Sequence, residues 1–498
     1  MTVASRARVA TRGVLDLVVT LVSASPPAAI ALGVIALLNG LLLPVFVVAS
    51  GNLVAQVRGH GSVLWPLTVV CVVFVVQRVL EPVSEETAAL LALRVDNMLA
   101  RRVMRSTATP PGIEHLEDPN IADLLVQGSG DPHDVTPGRA AMFLVLVISQ
   151  AVQGLGALVV VGLYSWPFAL LLMTAYAGWF ALSRKHYGEV TLIMNRRTRS
   201  LRTAYYVRST ALGSAAAKEA RVFALSPWLV ERYRTVWLSV MRAVWDRRRE
   251  GWLMVVGLVV GLGAVEIVVM IRLASDALAG AIGLGTAVAV TQAVIAAGVA
   301  AQFTDGHAGL GDALNALSAV RELEVRLPDT APAPSAAPRD DMRHRPLEAI
   351  RFEHVRFQYP GAAEPVFTGL DLEIPVGRSL AIVGGNGAGK TTIVKLLARL
   401  CDPSGGRITV DGVDLCSLPA AQWQRRVAAV FQDYVEYELS AFDNVAFGCL
   451  EVSDDRAAVV GAAVEAGAER AIARLKGAWD TPLTHDLSGG TQLSGGEW

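Results

Sequence analysis

The chain has 498 residues, a formal net charge of −1 and a mean hydropathy of +0.43. Hydrophobic residues make up 53% of it and charged residues only 18%, which excludes an ordinary soluble enzyme and predicts a membrane-embedded part beside at least one soluble domain. The near-neutral charge gives no reason to expect nucleic acid as a partner. The four cysteines have no metal-binding spacing and are expected to be reduced thiols.

The N-terminal segment is basic and then strongly apolar. Three arginines within the first twelve residues precede residues 17–57, which contain no charged side chain. This pattern predicts a membrane-spanning helix over 28–49, and the next apolar run predicts a second over 62–80. A cleaved signal peptide is the alternative, although the first run is long for one and further spans follow.

Further apolar stretches complete the membrane part. Residues 140–183 contain no charged side chain, and Ser165-Trp166-Pro167 breaks them into two segments, each long enough to cross a hydrocarbon core of about 30 Å. Two later stretches have similar length and composition. The four spans predicted here are residues 141–164, 167–184, 252–272 and 278–303. With the first two, the expected helical bundle has six transmembrane helices.

The charges outside the spans predict the orientation. Residues 184–250 hold fifteen Lys or Arg against five Asp or Glu, whereas the expected outer loops contain only Arg58 and Arg272. Basic loops tend to remain in the cytoplasm. The N-terminus and the C-terminal domain are therefore predicted to be cytoplasmic in a multi-pass cell-membrane protein, and the polar segments 82–139 and 184–250 to extend into water on that side.

Glu266 lies inside the fifth predicted span. An ionised carboxylate is costly there unless it faces a partner or a wet cavity. Two interpretations stay open: a role in a transport cavity, or a structural hydrogen bond.

The composition changes again after the last span. Residues 328–347 are rich in Pro, Ala and Ser and predict a linker between a transmembrane domain (1–327) and a C-terminal domain (348–498). Alternating apolar residues predict strands over 350–357 and 370–374, and later strands alternate with helices. This order is typical of an α/β domain with a largely parallel sheet.

A glycine-rich loop in this domain fits the phosphate-binding pattern G-x-x-x-x-G-K-[ST] at every fixed position. The apolar run 379–383 predicts a buried strand before it, and residues 393–400 predict a helix after it. Successive backbone N–H groups and the helix N-terminus attract phosphate, Lys390 would reach the β- and γ-phosphates, and the Thr391 hydroxyl would hold Mg²⁺. A chance glycine-rich turn is the alternative. The expected binding residues are Gly384, Gly385, Asn386, Gly387, Ala388, Gly389, Lys390, Thr391 and Thr392.

Other stretches complete a recognisable set. Tyr359, Phe431-Gln432-Asp433 and Leu493-Ser494-Gly495-Gly496-Glu497 flank or follow this loop, and six spans precede it. With these motifs the chain resembles an ATP-binding-cassette half-transporter of the exporter fold. The resemblance implies a membrane helical bundle fused to an α/β P-loop NTPase domain, ATP and Mg²⁺ as ligands, and a homodimer or heterodimer with a second half-transporter.

The resemblance also implies roles for single residues. Tyr359 would stack on adenine, and the catalytic pair would be Lys390 and Gln432, with the amide of Gln432 reaching Mg²⁺ and the attacking water. A strand-end aromatic and an ordinary strand-end Gln are the alternatives. Ser494, Gly495 and Gly496 would begin a helix that faces the γ-phosphate held by the other subunit. A second copy of the pattern, Leu487-Ser488-Gly489-Gly490, is interpreted as an approach loop.

The chain departs from the family pattern after Trp498. The strand ending in Asp-Glu and the switch His of the family have no counterpart in the sequence, because Val452-Ser453-Asp454-Asp455 lacks the apolar strand before its acids. We therefore expect an NTPase domain that is incomplete at its C-terminus, a fragment of a longer product, and slow ATP hydrolysis by these residues alone.

Two functions follow from these expectations. The first is a dimeric pump that couples ATP binding and hydrolysis to movement of an unidentified substrate across the membrane, in the export direction. The second is a nucleotide-binding subunit that does not hydrolyse ATP and either pairs with a competent partner or senses ATP. Inward transport by the same fold also stays open.

Overall fold

The computed structural model describes residues 3–129, 136–196, 198–214, 216–327, 346–432, 434–485 and 487–498. The chain divides into two compact units. A helical unit comprises Met1–Ala337 with Tyr359–Ala363, and a unit containing a β-sheet comprises Pro338–Gln358 with Glu364–Trp498. The predicted linker over 328–347 lies mostly outside the described residues, and its boundaries remain a prediction.

The helical unit is built from long helices joined by short connections. Its α-helices are α1 (Val3–Ala24), α2 (Pro26–Arg58), α3 (Leu64–Ala108), α4 (Pro119–Ser129), α5 (Ala140–Tyr164), α6 (Trp166–Arg196), α7 (Thr198–Leu212), α8 (Ala217–Val222), α9 (Ser226–Leu278), α10 (Leu284–Ala300) and α11 (Asp305–Arg326). Residue Pro167 follows the first residue of α6, where its missing N–H breaks no helical hydrogen bond.

Five helices in the described part of the chain are long and apolar enough to cross a membrane. They are Pro26–Arg58, Leu64–Ala108, Pro137–Tyr164, Trp166–Glu189 and Ser226–Leu278. Four of them contain a predicted span, and Leu64–Ala108 contains the predicted span 62–80 except for its first two residues. The sixth predicted span, 278–303, overlaps α10, an apolar helix of 17 residues that is shorter than these five, and α11 begins only at Asp305.

Glycines allow α2 to approach two other helices closely. A Cβ atom on Gly40 would lie 2.5 Å from Val152 Cβ of α5, and one on Gly51 would lie 2.6 Å from the Gly285 oxygen of α10. Helices in lipid associate through such small-residue contacts because burial of apolar surface gives no advantage there. The hydroxyl of Ser50 adds a hydrogen bond of 2.7 Å to Gln292 Oε1 across the α2–α10 contact.

The second unit contains a four-stranded sheet in the order β2-β1-β3-β4. Its strands are β1 (Ala349–Phe357), β2 (Phe367–Pro375), β3 (Gly405–Val410) and β4 (Val413–Asp414). The first two confirm the strands predicted over 350–357 and 370–374. All three ladders are antiparallel, so the prediction of a largely parallel sheet is wrong for the described residues.

The antiparallel order has a local cause. β3 and β4 are joined by Asp411 and Gly412, whose φ angles of 49° and 78° are those of a two-residue hairpin turn. The Asp411 carboxylate also accepts hydrogen bonds from the backbone N–H groups of Leu347 and Glu348, both at 2.8 Å. This turn therefore fixes both the hairpin and the start of β1.

The predicted strand over 379–383 is not formed. These residues belong to no ladder, and Leu380, Ile382 and Val383 are 45%, 39% and 94% exposed. Apolar composition alone does not make a strand, because a strand needs a partner to pair its backbone. The expectation of a buried strand at this point was wrong.

Short helices follow in the second unit: α12 (Lys390–Leu397), α13 (Ala420–Gln424), α14 (Ala441–Ala446), α15 (Arg456–Glu465) and α16 (Glu469–Ala473). An apolar cluster around Ala441, Ala463 and Ile472 packs the last three together, and Leu493 and Trp498 contact it from the end of the chain. The segment carrying Ser494 is therefore held against a folded helical layer.

Candidate nucleotide-binding site

The glycine-rich loop is shaped by two left-handed residues. Gly387 and Gly389 have φ angles of 81° and 86°, which side chains rarely adopt. Gly389 also packs tightly, since a Cβ there would lie 2.6 Å from Phe367 Cζ and 2.9 Å from Val366 Cγ1. The loop can follow this path only with glycine at position 389.

Helix α12 begins immediately after the loop. Gly389 is its N-cap residue, and no side chain caps the helix. The first N–H groups of such a helix point along its axis and, with the helix dipole, favour an anion. The geometry at the loop therefore suits a phosphate group.

Lys390 curls back over the loop that precedes it. Its Nζ donates hydrogen bonds to the carbonyl oxygens of Gly384 at 2.9 Å and Gly385 at 2.7 Å. These contacts place the ammonium group on the concave side of the loop, where an anion would meet it. Lys390 is thus held against the start of the loop, and the uncapped N-terminus of α12 directly follows the end of the loop.

The next two residues differ in exposure. Thr391 is exposed, whereas Thr392 is 5% exposed and belongs to the core beneath the helix. No group of three or more His, Cys, Asp or Glu able to hold a metal occurs in the described ranges of the chain. The exposed Thr391 hydroxyl therefore suits Mg²⁺ only in its usual nucleotide-bound form, in which one or two oxygens come from the protein and the remaining ligands from phosphate and water.

Gln432 lies on an exposed segment after α13, and its neighbour Asp433 lies outside the described residues. Two contacts join this segment to the end of the chain. The hydroxyl of Tyr434 donates a hydrogen bond to the Gly495 carbonyl at 3.0 Å, and Gln492 Nε2 lies 3.4 Å from Glu436 Oε2. The structure therefore brings the Gln432 segment beside Ser494–Gly496.

Ser494 starts a helical turn. Its carbonyl accepts hydrogen bonds from the N–H groups of Glu497 and Trp498 at 2.8 and 3.1 Å. Glu497 Oε2 in turn accepts from the Ser494 backbone N–H at 3.1 Å and from the Ser494 hydroxyl at 2.8 Å. The contact of Glu497 with the N-cap N–H is that of a capping box, which marks a helix N-terminus.

The same contacts keep the Glu497 side chain ionised. The hydrogen bonds from the Ser494 side chain and backbone, with help from Arg474, lower the pKa of Glu497 below its ordinary value. The carboxylate is therefore ionised at neutral pH and stays available to hold Ser494. Gly496 has open space around its Cα, so its backbone can be approached by a ligand.

The earlier copy of the Ser-Gly-Gly pattern has another role. Gly489 has a φ angle of 83°, and a Cβ on Gly490 would lie 2.0 Å from the Thr484 oxygen. The N–H of Gly490 donates to the Leu487 oxygen at 3.0 Å. This copy forms a tight turn packed against its own backbone.

Tyr359 lies in the loop between β1 and β2, and its carbonyl accepts a hydrogen bond from the Ala362 N–H at 3.1 Å. The structure leaves its stacking role as a prediction. Sequence reasoning missed Tyr434 and the capping function of Glu497. Only the second had a local signal, because Ser-x-x-Glu is the capping-box pattern.

The apolar helices and the phosphate loop at the start of α12 together define a membrane protein that carries a P-loop nucleotide-binding domain. Residues 367–498 match the ABC transporter family. The matched domain is one that implies ATP binding, and its similarity agrees with the exporter-type half-transporter that the motifs of the chain resemble.

Its curated relatives include transporters from bacteria and plants. An ATP-dependent lipid A-core flippase of Chromohalobacter salexigens is 37% identical over 148 residues, which are 30% of this chain and 25% of the flippase. A beta-(1→2)glucan export ATP-binding/permease protein of Mesorhizobium japonicum is 38% identical over 148 residues, 30% of this chain and 24% of the relative. ABC transporter B family member 18 of Arabidopsis thaliana is 36% identical over 149 residues, 30% of this chain and 12% of the relative. The chain thus matches a quarter or less of the length of these relatives.

Proposed function

We propose that the protein is the subunit of a dimeric pump that uses ATP binding and hydrolysis to export a substrate across the cell membrane. The observation that carries the proposal is a glycine-rich loop, Gly384–Gly389, against which the Lys390 ammonium group is held and which leads directly into the uncapped N-terminus of α12. This arrangement recognises the phosphates of a nucleotide. The ABC transporter match over 367–498 supports ATP as that nucleotide.

Two further groups would complete the site. The Thr391 hydroxyl and the Gln432 amide are proposed to hold the Mg²⁺ that accompanies ATP, and the ion would neutralise phosphate charge. Tyr359 would cover the adenine ring. Lys390 and Gln432 would act as the catalytic pair by orienting the γ-phosphate and a water molecule.

The second half of the site would come from another subunit. Ser494, Gly495 and Gly496 form a helix start whose N–H groups suit the γ-phosphate bound by a partner's Lys390. Closure of two such domains around ATP would change the access of the membrane helices from one side to the other. A homodimer and a heterodimer both satisfy this geometry.

The orientation follows from charge. The excess of basic residues over 184–250 favours a cytoplasmic position for the N-terminus and the nucleotide domain. The names of the relatives favour export, since they include a flippase and a glucan export protein.

The test is vanadate-sensitive ATPase activity of the full-length protein in vesicles. Lys390→Ala should abolish this activity and weaken ATP binding, because the charged phosphate contact is lost. Lys476→Ala is the matched control, since Lys476 is an exposed lysine of the same unit outside the site. Undiminished activity in Lys390→Ala would overturn the assignment. Binding of ATP by the wild-type dimer without hydrolysis would instead indicate the non-hydrolysing subunit.

A further inference from the structure

A cavity of about 650 Å³ lies within the helical unit, between α2, α3 and α5. This volume falls in the range of small-molecule sites in proteins. One part of its wall is apolar and aromatic, with Phe74, Phe143 and Leu146. Another part is charged, with Arg78, Glu81 and Glu85. A wall of this mixed character is typical of a site for an amphiphile.

The register of α3 and α5 gives the position of the charged groups along the two helices. The Gly138 N–H donates to Asp96 Oδ1 at 2.6 Å, which aligns the two antiparallel helices at one end. Glu85 precedes Asp96 by eleven residues in α3, and Ser149 follows Gly138 by eleven residues in α5. At 1.5 Å per residue both lie about 16 Å from the contact, so Glu85 is level with Ser149. Four residues further, Glu81 is level with Gln153. Both carboxylates therefore lie beside the middle of the helical stretch Pro137–Tyr164.

The polar residues of the opposite wall are already engaged and hold the wall in place. The Ser149 hydroxyl donates to the Ala36 oxygen of α2 at 3.0 Å, and Gln153 Nε2 donates to the Asn39 oxygen at 3.3 Å. These bonds fix α5 against α2 across the cavity. The wall is thus formed before any ligand arrives.

The charged residues of α3 are not engaged in this way. The Arg78 guanidinium lies 5.5 Å from the centre of the Phe74 ring. Within the described ranges, neither Glu81 nor Glu85 forms an ion pair, and both are exposed. Ser84 is only 8% exposed and lines the cavity. Two carboxylates without an ion pair, against one arginine, leave an excess of negative charge on the wall of the cavity, which a cationic ligand would neutralise.

We propose that this cavity binds a cationic amphiphile, a molecule with one positive charge on an apolar body. Glu81 and Glu85 outnumber Arg78 and hold the charge, and the rings of Phe74 and Phe143 add cation–π attraction. The apolar side chains of α5 enclose the body. The claim that such a molecule is also the transported substrate rests on the proposed export function. The claim that the cavity binds it does not.

The experiment measures binding of tetraphenylphosphonium to the purified full chain in lipid nanodiscs without nucleotide. Tetraphenylborate serves as a probe of similar size and shape with the opposite charge. The double variant Glu81→Gln/Glu85→Gln should weaken tetraphenylphosphonium binding about tenfold, which corresponds to about 1.4 kcal/mol. Glu86→Gln, on the same helix but outside the cavity wall, should leave binding unchanged.

A variant with the opposite sign excludes misfolding as the cause. Arg78→Gln removes the repelling charge and should tighten tetraphenylphosphonium binding about threefold, which a damaged fold would not do. Equal binding by wild type and double variant would overturn the proposal. So would preferential binding of tetraphenylborate that Arg78→Gln abolishes, since this would mark a site for anionic amphiphiles. If binding behaves as expected but no ATP-dependent uptake into vesicles is seen, the export function fails and the site stands.

Discussion

The hydroxyl of Tyr434 donates a hydrogen bond of 3.0 Å to the carbonyl oxygen of Gly495. The bond joins the exposed segment that carries Gln432 to the Ser494 helix start, two parts of the chain far apart in sequence. In the proposed dimer, each of these parts contacts a different ATP molecule. A movement of one part would therefore displace the other.

Removal of this bond tests the connection. Tyr434→Phe should leave ATP affinity unchanged and lower the ATPase rate between about twofold and about tenfold, since a typical hydrogen bond contributes about 0.5–1.5 kcal/mol. Tyr437→Phe is the control, because Tyr437 lies in the same segment and packs edge-on against Phe447. ATPase assays measure the rates of both variants and the wild type, and titrations with a fluorescent nucleotide measure their ATP affinities. Equal rates in Tyr434→Phe and wild type would show that the bond does not couple the two segments.

The phosphate loop offers a second matched pair of changes. Gly389→Ala forces a side chain into a left-handed backbone and to within 2.6 Å of Phe367 Cζ, so it should destabilise the domain by about 2 kcal/mol or more. Gly385→Ala meets no atom within 4 Å and should unfold at nearly the wild-type temperature. Thermal unfolding without nucleotide compares them. A Gly389→Ala protein as stable as Gly385→Ala would contradict the steric argument.

The sequence predicted the parts of the structure that depend on local composition. Apolar runs longer than a bilayer core predicted the long helices, and alternation predicted β1 and β2, because both patterns are read along a single segment. The phosphate loop was equally local. Its left-handed positions at Gly387 and Gly389 follow from a pattern that demands glycine.

Pairing between segments was beyond the same reasoning. The run 379–383 has strand composition, yet it pairs with no strand of the described chain, since composition does not specify a neighbour. The Asp411-Gly412 pair is a sequence signal for a two-residue hairpin turn, and it could have predicted the antiparallel pairing of β3 and β4. By contrast, the Tyr434–Gly495 bond depends on a tertiary contact that no single-segment pattern encodes.

Glu266 illustrates how the structure bears on two open interpretations. The Tyr176 hydroxyl is 2.9 Å from Glu266 Oε1 and 3.2 Å from the Val294 oxygen, so one phenol links α6, α9 and α10. Gly298 leaves room for the pair, because a Cβ there would lie 2.9 Å from Glu266 Oε1. These contacts favour the structural hydrogen bond.

The structural interpretation makes a definite prediction. Tyr176→Phe leaves the half-buried carboxyl of Glu266 without its donor and should destabilise the helical unit by about 1–3 kcal/mol. Glu266→Gln retains an acceptor oxygen and should change stability by less than about 1 kcal/mol, with transport preserved. Thermal unfolding in nanodiscs and vesicle transport are the measurements. Loss of transport in a stable Glu266→Gln protein would support the cavity role instead.

Helix α11 begins with a capping box that can titrate. His307 Nδ1 accepts the backbone N–H of Thr304 at 3.3 Å, and the imidazole lies 5.2 Å from the Phe180 ring centre and 5.1 Å from that of Phe303. Burial among these rings lowers the pKa of His307 below its ordinary value of about 6.5. A proton on Nδ1 would remove the acceptor from the cap.

The sign of the pH effect follows from this shift. The folded state binds fewer protons at His307 than the unfolded state, so the protein should lose stability as pH falls from about 6.5 through the lowered pKa, and should be unaffected above that window. His307→Gln keeps an acceptor without a titrating group, so its unfolding temperature should fall less than that of wild type between about pH 7.5 and about pH 5.5. Differential scanning fluorimetry of both proteins at the two pH values measures the difference. Identical pH dependence in wild type and His307→Gln would show that the cap does not titrate in this window.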